Sequence, residues 1–120
     1  TLFGRRRQFP EMKSPLPYVR AQAARMAINA PIQGTQSDVI KLAMVKVEKL
    51  LQEENSKEDA YLLLQVHDEL VYEIRDEKLH DLSVRIKAIM ESILTLEDSC
   101  GVPIIAEARI GPNWDEMQKL

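Results

Sequence analysis

The stretch Leu62-Leu63-Leu64-Gln65-Val66-His67-Asp68-Glu69-Leu70-Val71-Tyr72-Glu73-Ile74 constrains the fold more than any other part of the chain. Two apolar runs rich in branched side chains flank a His-Asp-Glu tripeptide, and such runs read as strands. The break between them leaves room only for a tight hairpin turn. An imidazole and two adjacent carboxylates then sit at or beside the tip of a stiff ribbon. Asn-Gly would turn this corner with less strain. The acidic tip therefore either carries chemistry or simply solvates a turn, which Asp also favours. A rigid carboxylate suits a divalent cation held against a phosphate, because magnesium takes one or two carboxylates plus phosphate oxygens.

Around this ribbon the sequence sets out helices. Ser14 with Pro15 and Pro17 marks a helix start, and the helix is expected to run to about Ala30, where Pro31 ends it. Pro31-Ile32-Gln33-Gly34 reads as a connector. Thr35-Gln36-Ser37-Asp38 is close to a capping box and starts a second helix, with Ile40, Met44, Val47 and Leu51 on one buried stripe. Residues 53–59 form a solvated loop before the hairpin. Asp76 can cap a third helix in which Leu79, Leu82, Ile86, Ile89, Met90 and Ile93 keep helical spacing, until Gly101 and Pro103 stop it. Residues 102–110 read as a last strand, and Trp114 as a packing anchor. The expected fold is α+β: a small antiparallel sheet, made of the hairpin plus the C-terminal strand, with helices packed on one face.

The 120 residues are 45% apolar, enough for one small domain with a core. No apolar run reaches the length of a membrane span, and no secretory leader stands at the N-terminus. The single cysteine, Cys100, excludes an internal disulfide and fits a reducing setting. The expectation is a cytoplasmic protein with no membrane partner. Net charge is −3, but it is unevenly distributed. Residues 1–41 hold seven basic and two acidic side chains, and the remainder nine basic and seventeen acidic. Such asymmetry suggests one region for a polyanion.

Arg25 and Asn29 lie four apart on the first helix, and Gln33 follows four later. Donors in a row can probe the minor groove, where every base pair shows acceptors at similar positions. They would check pair geometry without reading identity; a solvated helix face is the alternative. Arg5, Arg6 and Arg7 can contact phosphates, which positions without specifying, or form an exposed basic loop.

Gln65-Val66-His67-Asp68-Glu69-Leu70-Val71-Tyr72-Glu73 resembles the third palm motif of the family A DNA polymerases, the bacterial DNA polymerase I group. Arg25-Met26-Ala27-Ile28-Asn29-Ala30-Pro31-Ile32-Gln33-Gly34-Thr35 is similar to the segment just upstream in that family. Thr1-Leu2-Phe3-Gly4-Arg5-Arg6-Arg7 resembles its Thr-Leu-x-Gly-Arg-Arg hairpin, and residues 102–114 resemble its final strand and C-terminal end. The resemblance implies a single partial domain over residues 1–120, the C-terminal part of a polymerase palm, bacterial or phage-encoded and serving DNA replication or repair.

It implies roles residue by residue. Asp68 matches one of the two aspartates that hold two Mg2+ ions, and Glu69 an accessory carboxylate beside them. His67 matches a residue near the primer terminus. Arg25, Asn29 and Gln33 match minor-groove contacts to the template-primer, and Arg5 and Arg6 fall in the basic hairpin. Ala24 stands where the family often has Glu, which removes a possible partner for Arg25. The implied partners are template-primer DNA, deoxynucleoside triphosphates and the polymerase segments this chain lacks: fingers, thumb and the strand with the first palm aspartate. The isolated chain is expected to be inactive, and either to self-associate through an exposed sheet edge or to cover that edge with residues 1–12. The alternative is a non-catalytic DNA-binding module that keeps the minor-groove surface.

Overall fold

The computed structural model describes residues 1–53 and 56–120. A 3-10 turn at Pro10–Lys13 precedes α1 (Pro17–Glu53), the hairpin of β1 (Ala60–Val66) and β2 (Glu69–Ile74), a 3-10 turn at Asp76–Lys78, α2 (Leu79–Glu91), β3 (Arg109–Ile110) and β4 (Gln118–Lys119). The chain divides into two compact units, Thr1–Asp38 and Val39–Leu120. Helices with small antiparallel sheets make it the expected α+β fold.

Pro31 does not end a helix. α1 runs through it for 37 residues, so the expected connector and second start do not exist. Proline in a helix interior removes one backbone donor and crowds the carbonyl four residues back. Thr35 Oγ1 donates to the Pro31 carbonyl at 2.6 Å, the back-bond to the residue four earlier that threonine makes inside a helix. Thr35 therefore lies inside a continuing helix rather than capping a new one.

In the Val39–Leu120 unit Ile40, Val47 and Leu51 of the expected stripe are buried and Met44 is half-buried. Val47 and Leu51 of α1, Ala60 of β1, and Leu82 and Ile86 of α2 form the core, with Tyr72, Ile74, Ile89 and Met90 packed against it. Each fully buried aliphatic side chain of this kind is worth about 1.5–3 kcal/mol relative to exposure. Burial pushes the Tyr72 phenol up to about 12, and the Glu48 carboxylate adds to the shift. Of the expected solvated loop, Glu54 and Asn55 lie outside the described residues. Ser56 is buried, its N–H donating to the Leu51 carbonyl at 2.9 Å. Arg75 closes the open end of the hairpin, donating its N–H to the Asp59 carbonyl at 2.8 Å and pairing with the Asp59 carboxylate at 3.1 Å.

α2 begins later and stops sooner than its spacing predicts. Asp76 falls in the 3-10 turn, and α2 has no side-chain cap. After Glu91 the chain turns on local bonds: Ser92 N–H donates to the Ala88 and Ile89 carbonyls. Thr95 then donates through both N–H and Oγ1 to Asp98 Oδ2. Side chains that bond the nearby backbone compete with helix, although Ile93, beyond the end, stays buried.

The C-terminal strand forms in two residues only, and it does not join the hairpin. Arg109 and Ile110 pair with Lys119 and Gln118 in a separate two-stranded sheet. Pro103 lacks a donor, and Ile104-Ile105 breaks the alternation a ladder requires. The irregular segment is tied to α2 instead, by Ala106 N–H donating to Glu91 Oε1 at 3.0 Å. Hydrogen bonds from Lys87 and then Ala106 hold the Glu91 carboxyl below the usual range. Trp114 is 52% exposed rather than a buried anchor.

Candidate functional site

The residues singled out in the sequence fall in both units. His67, Asp68 and Glu69 lie in Val39–Leu120, and Arg5, Arg6, Arg25, Asn29 and Gln33 in Thr1–Asp38.

β1 and β2 pair antiparallel from Ala60↔Ile74 to Val66↔Glu69, which leaves His67 and Asp68 as the whole loop. The register shifts between Leu62 and Leu64, so Leu63 forms a bulge. A bulge raises local twist and re-aims the strand that follows it. His67 adopts φ +52°, in the left-handed region. For a residue with a Cβ that conformation costs about 1–2 kcal/mol, although His visits it more often than most. Gln65 holds it in place, since its Nε2 donates to the His67 carbonyl at 2.7 Å. The bond goes to the backbone of a residue beyond the end of β1, so strand alternation does not signal it in the sequence.

His67, Asp68 and Glu69 are all exposed. Asp68 thus presents a hard-oxygen donor on a loop that cannot be shorter and is fixed by a side-chain hydrogen bond. Among the described residues no three His, Cys, Asp or Glu side chains gather as a metal site. Both edges of the β1–β2 ribbon are unpaired among the described residues. Tyr61, Leu62, Leu63 and Leu64 are exposed along β1.

In the Thr1–Asp38 unit, Arg25, Asn29 and Gln33 are exposed on α1 at successive intervals of four residues. On a helix these positions are neighbours on one face. The row extends about 12 Å along the axis, at 1.5 Å per residue. That length matches between three and four base-pair steps, at about 3.4 Å each. Arg25 and Arg6 have no ion-pair partner among the described residues.

Gln33 also lines an open groove of about 760 Å3, together with Arg5, Arg6, Arg7, Phe9 and Ser37. The structure therefore brings Arg5, Arg6 and Gln33 to one groove, while Arg25 and Asn29 continue the row along the helix. Gly4 makes the turn before the arginines, at φ +82°. The Arg7 guanidinium stacks 5.0 Å from the centre of the Phe9 ring, a cation–π arrangement. Arg5 is ion-paired with Asp38 at 2.5 Å. The sequence gives Asp38 the role of a capping-box residue, so this pairing is invisible until the helix is known to be continuous.

The family model for "DNA polymerase family A" matches residues 1–116. DNA polymerase I of Pseudomonas aeruginosa is 47% identical over 116 residues, covering 97% of this chain and 12% of that protein. The thermostable DNA polymerase I of Thermus aquaticus is 43% identical over 114 residues, covering 95% of this chain and 13% of that protein. Among solved structures, the POL domain of Pol1 from M. smegmatis, in complex with DNA primer-template and dNTP, is similar with a TM-score of 0.76. It is 38% identical, and the match covers 86% of this chain and 17% of that one. This chain spans about an eighth of the length of the curated relatives it matches.

Proposed function

The chain belongs to DNA polymerase family A, and we propose that it is the C-terminal part of a polymerase palm, carrying one half of the active site. The reaction is attack of a primer 3′-hydroxyl on the α-phosphate of a deoxynucleoside triphosphate, with release of pyrophosphate, in DNA replication or repair. The observation that carries this reading is an exposed Asp68 in a two-residue loop of fixed geometry, inside a motif of the matched family.

Asp68 fits a magnesium site as one ligand. Its carboxylate is the hard donor magnesium prefers, and such sites use few protein carboxylates. We assign the second carboxylate to the palm segment this chain lacks; among the described residues no three such side chains gather. Two magnesium ions would supply charge neutralisation at the reacting phosphate oxygens. Glu69 adds negative charge beside them, and the His67 imidazole stands at the loop position next to the ligand. Arg25, Asn29 and Gln33 hold the nascent pair's minor-groove edge, and the basic loop that begins the chain supplies positive charge for phosphates. The proposed setting is the cytoplasm, and no helix among the described residues is long and apolar enough to cross a membrane.

Minor-groove acceptors recur at equivalent positions in every base pair. Asn29→Ala and Gln33→Ala should therefore weaken primer-template binding about equally across sequences. Each should cost about fivefold, as expected of one hydrogen bond worth about 1 kcal/mol. Binding titrations against duplexes of different terminal pairs check this. A loss confined to one terminal pair would contradict a geometry-checking role.

The open edges of β1–β2, with apolar side chains beside them, call for a strand partner. In the complete enzyme we assign that place to the palm strand carrying the other aspartate. The chain alone should pair with a second copy. Sedimentation velocity of the 120-residue chain should show dimers or larger species, and a monomer at all concentrations would count against it.

A further inference from the structure

Arg5 is engaged inside its own unit. Its guanidinium meets Asp38 Oδ1 at 2.5 Å and lies 3.5 Å from the Gly34 carbonyl. Its backbone N–H donates to Thr1 Oγ1 at 3.1 Å. Next to it, Leu2 N–H donates to Thr35 Oγ1 at 3.0 Å, and the same hydroxyl donates to the Pro31 carbonyl. Gly34 makes the close approach possible, because a Cβ there would stand 2.6 Å from Thr1 Cγ2. These contacts fasten residues 1–7 to α1 between Pro31 and Asp38.

Asp38 is the anchor. Its side chain is 13% exposed, and Oδ2 is buried with no hydrogen-bond partner among the described residues. Among the described residues Arg5 is the cation that compensates this carboxylate, and a buried charge that loses its partner is strongly unfavourable. Arg6, by contrast, has no ion-pair partner among the described residues, and Arg7 lies over Phe9 on the wall of the groove that Gln33 lines.

We propose that Asp38 is a positioning residue for DNA binding: through Arg5 it latches residues 1–7 onto α1, so that Arg6 and Arg7, and not Arg5, meet phosphates beside Gln33. This rests on the reading that the Thr1–Asp38 unit faces primer-template DNA.

Two measurements on the same variants test it. Amide exchange at Leu2 and Arg5 should speed up about tenfold in Asp38→Asn, the ratio that corresponds to about 1.4 kcal/mol. In duplex titrations, Arg6→Ala and Arg7→Ala should each lower the slope of log affinity against log salt by about 0.9, and Asp38→Asn by about 1.8. In an Arg5→Ala background, Asp38→Asn should have no further effect on either quantity, since it acts through Arg5. If Arg5 itself held a phosphate, Asp38→Asn would free it and tighten binding, which overturns the proposal. Unchanged exchange in Asp38→Asn also overturns the latch. The expected exchange pattern with no duplex binding by any form at low salt removes the DNA reading and the positioning role, while the latch itself would stand.

Discussion

Replacing Asp68 by alanine in a polymerase that carries this segment should abolish templated extension while leaving the fold intact. Asp68 is exposed and lies in the loop rather than in a strand, so its carboxylate supports no packing. Stability should change by no more than about 0.5 kcal/mol, as for most surface substitutions. The rate effect should be far larger. Removing a single preorganised group that stabilises transition-state charge typically costs about a hundred- to a thousandfold, and a ligand shared by two ions should cost at least as much. Steady-state primer extension, read together with thermal melting of the same variant, separates the two effects. Loss of extension with a lowered melting temperature would point to structural damage instead. Asp68→Asn keeps the shape and removes the charge, and should be nearly as inactive.

Leu82→Ala should be the most damaging core substitution. Leu82 is 1% exposed and sits in the cluster that joins α1, the hairpin and α2. Truncating a buried leucine costs about 2–5 kcal/mol, the spread depending on how far the cavity collapses. Small domains have only about 5–15 kcal/mol in total, so this variant should lose a large share of its stability. Leu63→Ala is the contrast. Leu63 is 53% exposed at the bulge, and its truncation should cost under about 0.5 kcal/mol in the 120-residue chain. Urea unfolding followed by circular dichroism checks both. A Leu63→Ala loss as large as that of Leu82→Ala would place the hydrophobic core on the other face of the ribbon.

The hairpin was legible because two signals agreed. Its strands are apolar runs of strand length, and the break between them admits only a two-residue loop. The α2 stripe and the buried stripe of α1 were legible for the same reason, since periodicity reports burial directly. Pro31 was misleading. Its local rule is sound, but it weighs one lost donor and one crowded carbonyl, not the intact turns on either side through which α1 continues. The C-terminal strand failed differently. Residues 102–110 have strand-like composition, but a strand exists only when another backbone supplies the ladder, and no property of one segment announces that. Placement was legible where it is local, as for Asp68 in the hairpin loop, and hidden where it depends on a fold contact. Gln65 bracing His67 and Asp38 binding Arg5 belong to the second kind.

We propose that this chain holds half of a polymerase site. Primer extension by the pure 120-residue chain, with magnesium, template-primer and all four nucleotides, tests it most directly. The expected result is no extension alone, and extension restored when a polypeptide carrying the remaining palm and the fingers is added, but not when the added half meets Asp68→Ala chain. Templated extension by the chain alone, lost on Asp68→Ala, would contradict the account, because one aspartate would then suffice.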